Sequence, residues 1–306
     1  MRTVLVTGAG GSLGRVLAPL LAERGDTVRL FDSRSLHLPY ESIVGDIRNQ
    51  EAVSDAVRGV DAVVHGAAIH GIHVDKWSAR DFWSINATGT FNVYDAARVH
   101  GVGKVVLCST MAVYGASAQR SGDAWAVVDE TSPVLPVDVY GTSKHVCETL
   151  AKDAARMWSI ESVSLRLGMF VPETFERYGF RLLFGGVDDR DVAQAVLRGL
   201  DCQPEEEGFG AFNVFADVPF SDAEATDLAK DPGAVVERHW PGTLALVEER
   251  GLDLGALIWG WAIWRSTKTM EVLGWRPEYR FGDFLEALRA GDSSFYPFAG
   301  EPRWGV

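Results

Sequence analysis

The sequence predicts an α/β fold, a doubly wound parallel sheet carrying a smaller C-terminal lobe, and three observations carry that prediction. Short apolar runs without alternation, such as Val4-Leu5-Val6 and Ala62 to His65, recur through the first two-thirds of the chain. Stretches of helical period separate them. After Leu167 the pattern loosens into turns and short helices. Non-alternating runs mark strands buried on both faces, and intervening helices mark right-handed parallel crossovers.

In order, Val4-Leu5-Val6 is a strand, and Ser12 to Arg24 is a helix with Val16, Leu17, Leu20 and Leu21 on one face. Thr27 to Phe31, Ser42-Ile43-Val44, Ala62 to His65 and Lys104 to Cys108 are further strands, with helices at Gln50 to Arg58 and Asp81 to His100. A long helix runs from Tyr140 to Trp158, then a strand from Ser162 to Leu167, a helix from Asp189 to Leu200 and a strand from Ala211 to Phe215. Helices at Thr267 to Leu273 and Gly282 to Leu288 belong to the lobe. The Trp-rich run Leu254 to Trp264 (Trp259, Trp261, Trp264) reads as a buried helix or packing face. It is far short of the ~20 residues a membrane helix needs. The expected division is 1–168 with 189–215 returning to the sheet, and 169–188 with 216–306 as the smaller lobe.

The 306 residues are 47% apolar, an ordinary globular composition, and carry a net charge of -13. So acidic a surface repels phosphate backbones and anionic lipids, so neither nucleic acid nor membrane is an expected partner. Three cysteines, Cys108, Cys147 and Cys202, are odd in number and lack metal-ligand spacing. They point to a reducing compartment, and with no apolar signal core at the N-terminus the expectation is a cytoplasmic protein without a metal.

The first chemical motif is Thr7-Gly8-Ala9-Gly10-Gly11-Ser12-Leu13-Gly14, which follows a strand and opens a helix. Its spacing is Gly8-x-x-Gly11-x-x-Gly14: Gly8 for the tight turn, Gly11 for backbone approach to a diphosphate, Gly14 for close helix packing. The helix N-terminus offers unpaired N–H groups to phosphate. A ligand-free glycine turn is the bland alternative, but the strand–loop–helix context favours a dinucleotide and hence a sheet of the Rossmann type. Asp32 ends the second strand where a ribose-binding acid belongs, which favours NAD over NADP. Arg34 nearby could instead attract a 2′-phosphate.

The second motif is Tyr140-Gly141-Thr142-Ser143-Lys144. Tyr140 and Lys144 share a helix face. A tyrosine has a pKa of about 10, and a neighbouring ammonium favours its phenolate, which makes it a base for a substrate hydroxyl. Alone, such a pair is often a chance surface pair. Ser109-Thr110 at a strand end adds a hydroxyl that can steady the same oxygen.

These motifs, with Gly45-Asp46, His65-Gly66-Ala67-Ala68, Asn86, Gly89-Thr90, Asn92 and Val113-Tyr114-Gly115 in order, resemble the extended short-chain dehydrogenase/reductase family of NAD-dependent epimerases, dehydratases and sugar dehydrogenases. Asp188 to Ala193 and Leu273-Gly274-Trp275 are weaker echoes. The resemblance implies Tyr140 as catalytic acid/base, Lys144 as its partner and ribose ligand, and Thr110 as the orienting hydroxyl. It implies a cofactor lining of Gly8, Gly11, Ser12, Leu13, Asp32, Ser33, Asp46, Ile47, Gly66, Ala67, Ala68, Asn86 and Ser109, together with Tyr140 and Lys144. It also implies a homodimer, pairing the helices that begin near Asp81 and Tyr140.

Departures from the family narrow the reaction. Met111 and Ala112 stand where dehydratases carry an Asp-Glu pair, so dehydration is not expected. The short run Pro172 to Asp188 leaves little material to grip a nucleotide. Arg166-Leu167-Gly168 with Pro172-Glu173 looks more like uronate dehydrogenases, which makes Arg181 a candidate carboxylate clamp. An ion pair of Arg181 with surface acids is an equal alternative. Met111 and Met169 would make the substrate pocket apolar, and His70 or His73 could meet hydroxyls or simply hold a loop. Trp77, Trp83 and Trp125 read as core or dimer face. The expectation is an NAD-dependent oxidoreductase acting on a hydroxyl of a small sugar-type molecule, a sugar acid among them. An NAD-retaining sugar or sugar-nucleotide epimerase, or a non-catalytic cofactor sensor, is the alternative.

Overall fold

A computed structural model describes residues 2–120, 122–204, 207–257 and 262–301. Seven strands form one sheet in the order β3-β2-β1-β4-β5-β7-β8. They are β1 (Thr3–Thr7), β2 (Thr27–Asp32), β3 (Glu41–Val44), β4 (Ala62–His65), β5 (Lys104–Thr110), β7 (Glu161–Leu167) and β8 (Phe209–Val214). Every neighbouring pair is parallel. The strand order reverses between β1 and β4, and in such sheets the crevice beyond the carboxyl ends at that point holds ligands.

Burial explains why the apolar runs do not alternate. Val4 and Val6 of β1 join a core with Leu17 and Leu21 of α1 (Ser12–Glu23) and Val192 and Val196 of α7 (Asp189–Asp201). Leu5 between them faces the other core, with Val53 of α2 (Gln50–Val57), Val93 of α4 (Gly89–His100) and Ala151 of α5 (Val139–Trp158). Both faces are covered, so each position of the strand must be apolar. The expected helix at Asp81 to His100 is α3 (Ala79–Phe82) and α4 joined by a π-helical turn, Trp83–Thr88. Such turns are rare and concentrate at functional sites.

A third core collects the later elements. It joins Tyr178 and Phe180 of α6 (Phe175–Arg181) to Phe284 and Leu285 of α13 (Phe281–Ala290) and to Trp125. The short helices α8 (Ala225–Lys230), α9 (Pro232–His239), α10 (Thr243–Glu249), α11 (Leu254–Leu257) and α12 (Thr267–Val272) complete this part. The Trp-rich run departs from expectation. Among the described residues of the run, its start, α11, is helical, and Ala262–Trp264 is a strand, β9, pairing in parallel with β6 (Ala126–Val128). Trp264 stacks on Phe215 at 4.7 Å, and that packing favours extended backbone over a helix. Trp259 and Trp261 lie outside the described residues. The Leu273-Gly274-Trp275 segment is tied down by Asp191: Trp275 Nε1 donates to its carbonyl at 2.9 Å, and its carboxyl accepts from the Glu278 and Tyr279 N–H groups.

Candidate functional site

Two chambers meet along the carboxyl ends of the strands, with cavity volumes of about 360 and 270 Å³. Gly8, Gly11, Gly66, Ala68 and His70 border both, so together they form one trough.

The outer chamber is built by the glycine loop and the ends of β2 and β3. Gly8 has φ +69°, and a Cβ there would lie 2.7 Å from the Ala67 backbone. A Cβ on Gly14 would lie 2.2 Å from the Ala9 carbonyl, so α1 packs against its own entry loop only with glycine there. Gly11 caps α1 without any side-chain hydrogen bond, which leaves first-turn N–H groups open to an anion. Asp32 accepts from Gly10 N–H at 2.8 Å and from Arg34 N–H and Nε at 3.0 and 3.1 Å. Ser33, Asp46, Ile47 and Ala67 line the same chamber. The Arg48 guanidinium beside Asp46 holds its carboxyl below the ordinary carboxylate range.

Thr110, Tyr140 and Lys144 converge on the inner chamber, with Ser12, Leu13, Met111 and Met169 also on its walls. Thr110 ends β5, and its Oγ1 accepts from Ala112 N–H at 3.2 Å, capping the turn that follows. Tyr140 opens α5 just after Asp138, whose carboxylate accepts from Gly141 N–H at 2.6 Å. The Tyr140 ring packs edge-on to Phe82 at 6.2 Å and beside His70 at 6.2 Å. Lys144, one turn on, is only 3% exposed and has no hydrogen-bond or ion-pair partner among the described residues. An orphaned buried ammonium facing a trough fits a polar ligand such as a ribose diol. The uncapped helix, the Asp32 carboxylate and Lys144 therefore fit an adenine dinucleotide lying along the trough.

Burial dominates the electrostatics of the phenol. Burial pushes the Tyr140 phenol up to about 12, while the Thr110 hydroxyl, hydrogen-bonded to it, pulls the other way and the Asp138 charge raises it further. The lowering expected from Lys144 and an oxidised nicotinamide ring together would act against this desolvation. Lys144 acts visibly on the histidines. Burial first, then the Lys144 charge, depresses both His65 and His70 to about 3, so both rings are neutral.

Three expected site residues have other work. Asn86 does not line the trough. Its Oδ1 accepts from Ile69 N–H at 2.9 Å, and its Nδ2 donates to the Ile69 carbonyl and to Ser143 Oγ. With both ends of the amide used, it ties the loop after β4 to α5. Arg181 does not line the trough either. It is fully buried, donates to the Val171 carbonyl at 2.5 Å, pairs with Glu173 at 3.2 Å and lies over the Tyr178 ring. Glu173, two residues before α6, neutralises it, so Arg181 clamps the lobe rather than a ligand. Ser109 borders the chamber, but its hydroxyl donates to Glu148 at 2.7 Å on the buried side. Glu148 also pairs with Arg166 at 2.8 Å, and Arg166 donates to the Tyr114 hydroxyl at 2.9 Å.

Sequence reasoning overlooks Asp138, Ile72, Phe170, Val171 and Pro172, which line the inner chamber from loops without a motif. For Asp138 a signal existed, since an Asp just before a helix is a preferred N-cap.

A model of the NAD dependent epimerase/dehydratase family matches residues 4–178. The chain is 31% identical over 201 residues to the uronate dehydrogenase of Pseudomonas putida, which covers 64% of this chain and 70% of that protein. It is 33% identical over 176 residues to the L-arabinose 1-dehydrogenase (NAD(P)(+)) of Haloferax volcanii, covering 55% and 67%. The fold is similar to that of a short-chain dehydrogenase/reductase superfamily protein from Agrobacterium tumefaciens solved with bound NAD: TM-score 0.71, 23% identity, 96% of both chains. With the family model spanning more than half its length and the trough fitting a dinucleotide, the chain belongs to the NAD-dependent epimerase/dehydratase family.

Proposed function

We propose that this protein is an NAD-dependent oxidoreductase that oxidises a hydroxyl of a small sugar-type molecule. The observation that carries this reading is the convergence of the Thr110 hydroxyl, the Tyr140 phenol and the Lys144 ammonium on one chamber continuous with the dinucleotide trough. The similarity to proteins named uronate dehydrogenase and L-arabinose 1-dehydrogenase supports a sugar hydroxyl as the target.

The first turn of α1, Asp32 and Lys144 would hold NAD, which when bound supplies a hydride acceptor and a positive charge near the phenol. Tyr140, as phenolate, takes the proton from the substrate hydroxyl. Thr110 orients that oxygen, because its own oxygen accepts from Ala112 N–H and its hydroxyl stands beside the Tyr140 phenol. Lys144 places a fixed positive charge one turn from the phenol. Asn86 acts as a positioning residue through Ile69 and Ser143. The neutral His70 ring supplies a hydrogen-bonding group on the substrate side. Exposed Trp83, Phe91 and Val99 on the 79–100 helix support a homodimer formed through that face. The free cysteines support a reducing, cytoplasmic setting.

An NAD-reduction screen over free aldoses, polyols, sugar acids and sugar nucleotides tests the reading. NADH accumulation with a free sugar or polyol is the expected result. Interconversion of sugar nucleotides without NADH would establish an epimerase instead, and NAD binding with no turnover in any arm would establish a sensor.

A further inference from the structure

The two relatives named above act on different charge types, one on an anionic sugar acid and one on a neutral sugar. We propose that the inner chamber takes a neutral molecule, with one polar edge bearing the reacting hydroxyl and one apolar edge, and discriminates against a carboxylate. The proposal rests on the dehydrogenase reading and deepens it.

The chamber is lined by the apolar side chains of Ile72, Met111, Met169, Phe170, Val171 and Pro172. Thr110, Tyr140 and His70 supply its polar lining. The His70 backbone is held by its neighbour: its N–H donates to His73 Nδ1 and its carbonyl accepts from the His73 N–H, both at 2.9 Å. A neutral imidazole carries its proton on one of its two ring nitrogens. That nitrogen is a hydrogen-bond donor, suited to a hydroxyl or ether oxygen.

The charges on the chamber do not favour an anion. Asp138 lines it as a carboxylate near the phenol, and Lys144 is the one cation on it among the described residues. These two cancel. Arg34 and Arg48 stand in the outer chamber, each bonded to its own aspartate. Arg181 is fully buried, pairs with Glu173 and does not line the chamber. A substrate carboxylate would therefore lie against thioether, aromatic and aliphatic surface without a partner, or face Asp138. A buried anion without a partner is strongly disfavoured.

Sugars that differ only at C6 separate the possibilities. D-galactose, D-galacturonate and D-fucose share one ring stereochemistry and carry hydroxymethyl, carboxylate and methyl groups there, and D-glucose, D-glucuronate and D-quinovose form a second set. The measurements are kcat/KM for NAD reduction and thermal stabilisation of the enzyme–NADH complex by each compound. Within a set, the methyl or hydroxymethyl member should exceed the carboxylate by at least about tenfold in kcat/KM and should stabilise the complex more. A carboxylate preferred in turnover would overturn the proposal and leave the dehydrogenase reading intact. If none of these sugars turns over, the dehydrogenase reading is decided by the wider screen, and the binding arm decides the chamber's selectivity. Stabilisation by neutral members alone upholds the chamber's selectivity, while preference for the carboxylate, or no binding by any member, overturns it.

Discussion

Tyr140 is a protonated phenol at neutral pH, because burial raises it to about 12. Substrate oxidation needs the phenolate, whose fraction grows about tenfold per pH unit below the pKa. The reverse reduction needs the phenol, which is already present. Oxidation should therefore accelerate between about pH 6 and 9 while reduction stays flat or slows. Initial rates in both directions check this, and an oxidation rate independent of pH would count against Tyr140 as the base. The Thr110 hydroxyl lowers the phenol's value, so Thr110→Val should shift the oxidation profile to higher pH and Thr110→Ser should restore it. That assignment was legible in the sequence from residue type and spacing. The size of the desolvation was not, because it comes from Phe82, His70 and the strand ends closing over the ring, contacts between residues far apart in the chain.

At the scale of elements, the π-helical turn Trp83–Thr88 and the loop after β4 are joined by one amide. Replacing Asn86 by Ala would leave the Ile69 N–H and carbonyl and the Ser143 hydroxyl short of a buried partner. The cost should be about 2–3 kcal/mol in chemical denaturation, with turnover falling as α5 loosens against the loop. A loss under about 0.5 kcal/mol would show that the amide is dispensable. A polar chain behind it anchors this loop. Ala67 N–H donates to Thr7 Oγ1, which bonds His65 Nδ1 at 2.8 Å, and His65 Nε2 bonds Thr90 Oγ1, which donates to the Asn86 carbonyl. The strands and most helices were readable from periodicity. The role of Asn86 was not, since a motif match marks a position without saying which way its amide turns. Arg181 failed for a related reason: its partner Glu173 is close in sequence, but their pairing depends on how α6 folds onto the Val171 carbonyl.

For the whole molecule, the sheet sets the division of labour. Strand order reverses at β1 and β4, the trough lies across that point, and the C-terminal core forms around α6 and α13 beside it. This plan was visible in the alternation of apolar runs and helices. The β6–β9 pair was not, because three-residue strands paired across the chain leave no periodic signal. The account's central claim is that cofactor binding and proton transfer are carried by separate parts of one trough. Tyr140→Phe tests it most directly, with NAD affinity measured by calorimetry alongside turnover of the best substrate from the screen. The account predicts affinity within about threefold of the parent and turnover lower by at least about a hundredfold. A variant retaining turnover within about tenfold of the parent would contradict it.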